Sequence, residues 1–156
     1  MSPIPRAITP AGLSDVADAL RRFVDLIAHR AGKALSKMEE AGVTLPQVLV
    51  LAHVERAGSP SISTLAEGSP GTAAAMSQMV DRLVRQGWLA RSESPDDRRR
   101  KAVSLTPRGA RLLREIAHAR TLDYAAGLSR LPPTLHAELN EWLQRAIPEL
   151  GKSVAT

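Results

Sequence analysis

A mainly α-helical fold carrying one two-stranded β-hairpin is predicted by three observations. Apolar residues recur at spacings of three and four along most of the 156 residues. The period turns strand-like only in "WLARS" (88–92) and "KAVSL" (101–105), and short breaks rich in Gly, Pro and Ser separate the periodic stretches. A hydrophobic content of 44% is enough to bury a core in a chain of this length.

The first helix is expected from Ser14 to Ala41, with Val16, Leu20, Phe23, Val24, Ile27 and Leu35 on one side, Ser14 as N-cap and Gly42 as stop. Residues 1–13, with three prolines and no apolar run, read as a flexible N-terminus. A second helix spans Leu45 to Ala57, capped by Thr44 and carrying Pro46 in its first turn. Gly58 to Pro60 breaks the chain, and "SISTLAE" (61–67) is a short helix capped by Ser61. The turn "GSPG" (68–71) precedes a helix over Thr72 to Gln86, whose Met76, Met79, Val80, Leu83 and Val84 form one buried stripe. Beyond Gly87 come the two strands, with "ESPDDRRR" between them as the hairpin tip. Thr106 then caps a helix with Pro107 in its first position and Leu112, Leu113, Ile116, Ala119 and Leu122 on its face. It ends before Pro132 and Pro133, and a last helix runs from Thr134 to Ile147 with Leu135, Leu139, Trp142, Leu143 and Ile147.

This order, with a short helix, a glycine-containing turn, an amphipathic helix and a hairpin in succession, is that of a winged helix-turn-helix. In such a module the second helix enters the major groove by its N-terminal part. The side left for DNA is then Ala73, Ala74, Ser77 and Gln78. Small residues let the backbone approach the bases, alanine methyls can touch thymine methyls, and the Gln78 amide can pair bidentately with adenine. One good bidentate contact discriminates by about 1–3 kcal/mol, too little for one helix to define a genomic site, so a dimer on a two-fold-related site is expected.

A two-stranded ribbon is barely stable alone, so Trp88, Val103 and Leu105 must hold this one to the helices. Burial of about 150 Å² by Trp88 supplies roughly 4 kcal/mol for that anchoring. Arg98, Arg99, Arg100 and Lys101 at the tip are candidates for the minor groove, where negative potential concentrates. Asp96 and Asp97 either cap the turn or hold an arginine in its rotamer. A run such as "DDRRRK" on its own is usually a solvated loop; its position after a helix-turn-helix favours the DNA-facing reading.

Composition agrees without deciding. The net charge of +5 suits a polyanionic partner but is spread evenly along the chain. The absence of cysteine excludes disulfides, thiolate metal sites and cysteine-based redox sensing. The four histidines are dispersed, with no pair at ligand spacing, so no metal site is expected, and no cofactor. No Gly-rich phosphate loop, nucleophile elbow or acid–base constellation points to an enzyme. The N-terminal dozen residues lack a signal-peptide h-region and no apolar run reaches membrane-spanning length, so a cytoplasmic protein is expected.

These residues resemble the MarR-type winged-helix transcriptional regulators over residues 20–130, in "GVTLPQVLVL" (42–51), "ISTLAEGSPGTAAAMSQMVDRLVRQGWLAR" (62–91) and "SPDDRRRKAVSLTPRG" (94–109). The last stretch carries the most specific signature: Asp, one residue, Arg, then a strand ending in Leu-Thr before a helix. The resemblance implies that Thr72 to Gln78 is the DNA-facing start of the recognition helix. It makes Asp97 and Arg99 the wing pair, Arg99 reaching the minor groove, while Arg82 and Arg91 support the wing or contact phosphate. It also implies a homodimer built from the helical regions 14–41 and 107–150 around a DNA-binding domain at 42–106, most simply a repressor on a pseudo-palindromic operator. Regulators of this type commonly respond to small aromatic or phenolic anions held between dimer helices and winged module, where His29 and His53 are candidate ligand residues beside Arg30 and Tyr124. Ala74, Ala75 and Gln78 stand where hydroxyls or an arginine are common, and Ser69 where an aliphatic residue is usual. The alternative function is a winged-helix module that docks protein instead of DNA; it calls for an uncharged or apolar wing.

Overall fold

The computed structural model describes residues 10–28, 32–67, 72–93 and 101–154. Their elements are α1 (Pro10–Ala28), α2 (Lys33–Ala41), α3 (Leu45–Ala57), α4 (Ile62–Glu67), α5 (Ala73–Arg85), β1 (Leu89–Glu93), β2 (Lys101–Leu105), α6 (Pro107–Leu128) and α7 (Pro133–Val154). The mainly helical architecture with a single antiparallel hairpin is the one the sequence predicts.

Several boundaries differ. The expected first helix is two, α1 and α2, with Gly32 as the N-cap of the second. Glycine costs a helix about 1 kcal/mol relative to alanine. α1 starts at Pro10, a residue suited to a first helical turn, so residues 10–13 are helical and Ser14 lies inside the helix. Trp88 precedes β1 instead of opening it. α7 runs past Ile147 and through Pro148, forgoing one backbone hydrogen bond.

The chain forms two compact units, Gly32–Arg120 and a second one made of the segment before Gly32 with Thr121–Thr156. In this division α2 and the first part of α6 fall in the same unit as the winged module. The reason is packing: Met38 of α2 and Leu112, Leu113 and Ile116 of α6 belong to the same core as Val48, Leu51 and Val54 of α3, Leu65 of α4 and Val80 and Leu83 of α5.

Capping fixes this unit locally. The Thr44 N–H donates to Gln47 Oε1 at 2.8 Å, and the buried Gln47 side chain thereby starts α3. Ser61 Oγ accepts the Thr64 N–H at 3.1 Å at the head of α4. α5 ends in a Schellman closure: Gly87, at φ 75°, donates to Val84 O at 2.9 Å and Trp88 N–H to Leu83 O at 2.9 Å. A left-handed residue here turns the chain directly into β1.

In the second unit α1 and α6 approach closely at Gly127, where a Cβ would lie 2.3 Å from Ile27 O. His136 Nε2 meets Leu128 O at 2.7 Å, tying the start of α7 to the end of α6. Leu13, Val16, Leu20 and Val24 of α1 and Leu135, Trp142, Leu143, Ile147 and Leu150 of α7 remain exposed at helical spacing.

Candidate nucleic-acid interface

α5 is set by its two faces. Met76, Val80 and Leu83 are buried, with Met79 and Val84 packed against the same core. Thr72 is the N-cap and not the first helical residue: its hydroxyl accepts the Ala75 N–H at 3.2 Å. Ala73, Ala74, Ala75 and Gln78 are exposed over the first turns, Ser77 is half-buried, and Arg82 and Arg85 are exposed further along. The expected face of Thr72, Ala73, Ala74, Ser77 and Gln78 is therefore one continuous surface, with Ser77 at its edge.

The hairpin is anchored from three sides. Leu89 pairs with Leu105, Ala90 with Ser104, Arg91 with Val103, Ser92 with Ala102 and Glu93 with Lys101. Ser61 forms a bridge to Ala102 and the Val103 N–H donates to Pro60 O at 3.0 Å, so the segment before α4 lies along β2. Arg91 Nη2 of β1 reaches Asp81 Oδ1 of α5 at 2.6 Å.

At the base, Trp88 is buried and the Arg108 guanidinium lies 4.0 Å from its ring centroid. Arg108 Nη1 also donates to Gln86 O at 3.2 Å. The Thr106 hydroxyl donates to Gly87 O at 2.8 Å and accepts the Gly109 N–H at 3.0 Å, capping α6 against the end of α5. A Cβ on Gly109 would stand 2.2 Å from Trp88 O, so only glycine permits this approach.

The tip residues Asp96, Asp97, Arg98, Arg99 and Arg100, like His29, lie outside the described residues. Lys101 opens β2 opposite Glu93. His53 is half-buried on α3. Asp81 and Arg108 were not singled out as site residues by the sequence; the signal for Arg108 was present in "TPRG", where a cation follows the cap of α6. Among the described residues no group of His, Cys, Asp and Glu could hold a metal ion, and no helix is long and apolar enough to cross a membrane.

A capped helix with an exposed small-residue N-terminus, set behind a short helix and before a docked hairpin, defines a winged helix-turn-helix protein. The MarR family model matches residues 43–101. The chain is 36% identical over 97 residues to the HTH-type transcriptional repressor MdtR of Bacillus subtilis, covering 62% of this chain and 63% of MdtR, just under two thirds of that protein's length. It is 31% identical over 115 residues to the uncharacterized HTH-type transcriptional regulator YhbI of the same organism, covering 74% of this chain and 72% of YhbI. The crystal structure of Bacillus subtilis YusO superimposes with a TM-score of 0.62 at 30% identity, over 95% of this chain and 99% of that one. The chain belongs to the MarR family. The function carried by relatives so named is regulation, not catalysis.

Proposed function

We propose that the protein is a homodimeric, sequence-specific DNA-binding transcriptional repressor. The observation that carries this reading is the exposed face of Thr72, Ala73, Ala74 and Gln78, with half-buried Ser77 at its edge, at the start of α5, beside a hairpin held to that helix by Arg91 and Asp81. Gln78 and Ser77 read base edges, the alanines admit the backbone to the groove, and Arg82 meets phosphate. Arg98, Arg99, Arg100 and Lys101 supply the minor-groove and backbone cations, with Asp97 orienting Arg99.

The second copy comes through the exposed apolar stripes of α1 and α7, in a dimerisation region the sequence assigns to 14–41 and 107–150. Two recognition helices about 34 Å apart then match successive major grooves of a pseudo-palindrome. Occupancy of such a site near a promoter excludes polymerase, and release by a small aromatic or phenolic ligand completes the cycle. The likeness to a named repressor supports the sign of regulation.

Selection of bound fragments from the native genome tests the reading. It expects enrichment of fragments sharing an inverted repeat whose half-sites lie one helical turn apart. Recovery of no fragments would favour the protein-docking alternative, and uniform recovery would remove the sequence specificity.

A further inference from the structure

Three helix ends meet at Gln86, inside the unit Gly32–Arg120. Gln86 closes α5; its side-chain Nε2 donates at 3.4 Å to the carbonyl of Gly42, the C-cap of α2, and its own carbonyl accepts Arg108 Nη1, from the first turn of α6, at 3.2 Å. We propose that Arg108 is a positioning residue for DNA recognition: it grips the turn between α5 and β1 and so holds the recognition helix and the hairpin in one fixed relation, without touching the DNA.

The grip needs a guanidinium. Its central carbon lies over the Trp88 ring, 4.0 Å from the centroid, while Nη1 donates to Gln86 O, and a flat cation with in-plane donors does both at once. Gly87 lies between these two contacts, and a Cβ placed on it would stand 3.6 Å from Nη1, so the guanidinium covers the whole turn from Gln86 to Trp88. Both partners are neutral, and the carbonyl is one of those left over at a helix C-terminus, where a cation is favoured.

What is gripped is rigid in turn. Trp88 is 5% exposed, and Leu89 beside it opens β1 paired with Leu105, so the ring cannot shift without the base of the hairpin. Arg91 ties β1 to the middle of α5 through Asp81, whereas Arg108 holds the end of the same helix from α6. Two ties at different heights resist rotation of the helix under the hairpin; one alone is a pivot.

Arg108 is exposed, so the competing role is a direct phosphate contact. Salt separates the two: a residue that neutralises a phosphate releases a counterion, and one that grips a carbonyl and a ring does not. The consequence for DNA rests on the function proposed above; the hold on the turn does not.

The hold is tested on the full chain without DNA by amide hydrogen exchange. The Gly87 and Trp88 N–H groups close α5 on Val84 O and Leu83 O, and Arg108→Gln should speed their exchange about fivefold while Val50, Leu51 and Val54 of α3 change by less than about twofold. Unchanged exchange at Gly87 and Trp88, or equal acceleration along α3, overturns the hold. The consequence is read by fluorescence anisotropy on a selected and a random duplex across a salt series. Arg108→Gln should weaken binding to the selected duplex about fivefold, leave the random one unchanged and keep the slope of log affinity against log salt. Arg108→Lys, which keeps the charge and not the flat fork, should recover only part of that loss. A slope reduced by about one unit, equal losses on both duplexes or full recovery by lysine overturns the positioning role. A native chain that prefers no duplex contradicts the proposed function, and with it the role in recognition, while the exchange experiment still decides the hold.

Discussion

Arg91 Nη2 stands 2.6 Å from Asp81 Oδ1, joining the first strand of the hairpin to the middle of α5. Both side chains are partly exposed, so the pair contributes little to stability, about 0.2–1 kcal/mol. What the pair does is tie the hairpin to α5, and under the function proposed above that tie orients the wing on DNA. Arg91→Ala and Asp81→Ala are each predicted to leave the Tm within a few degrees of the native value and to weaken specific DNA binding several-fold. The double variant should be no weaker than either single one, as a double-mutant cycle by fluorescence anisotropy would measure. Additive losses would mean that Arg91 acts on the DNA directly.

Two glycines are predicted to be irreplaceable for packing. Alanine at Gly109 meets Trp88 O, and alanine at Gly127 meets Ile27 O, both backbone atoms that cannot rotate away. Each substitution should cost about 1–3 kcal/mol, lowering the Tm by several degrees in a thermal melt. Gly32→Ala, which meets nothing within 4 Å, should not lower it and serves as the comparison.

Much of this arrangement is legible in the sequence, and what is not has physical causes. Thr44, Ser61 and Thr106 are recognisable caps because each is a hydroxyl residue immediately before an apolar periodic run. The break between α1 and α2 is hidden because the apolar period of Val24, Ile27 and Leu35 carries across the single Gly32, and no proline or turn cluster marks it. The Asp81–Arg91 pair and the Arg108–Trp88 stack are hidden for a different reason. Each joins residues brought together only after the chain reverses at Gly87 or returns along β2, and local periodicity carries no information about such returns.

The exposed stripes of α1 and α7 predict the oligomeric state. Leu20 and Ile147 are both more than half exposed, 56% and 58%. Leu20→Glu and Ile147→Glu should shift the protein from dimer to monomer in sedimentation at micromolar concentration, since charge at the centre of an apolar interface is left unpaired. A native chain that sediments as a monomer would contradict the proposed dimer, and a dimeric native chain with both variants unchanged would remove these stripes from its contact.

The wing cations predict a salt signature. Arg99→Ala should weaken binding to every duplex and reduce the slope of log affinity against log salt by about one unit. An unchanged slope would remove Arg99 from the phosphate and minor-groove contacts.

The central claim is that the start of α5 reads base edges. It is tested most directly by titrating the native chain and Gln78→Ala against a selected duplex and against variants changed at single adenines within each half-site. One adenine position should lose about 1–3 kcal/mol of discrimination in Gln78→Ala, with affinity for random duplex unchanged. Equal losses on selected and random duplex would contradict base reading by this helix.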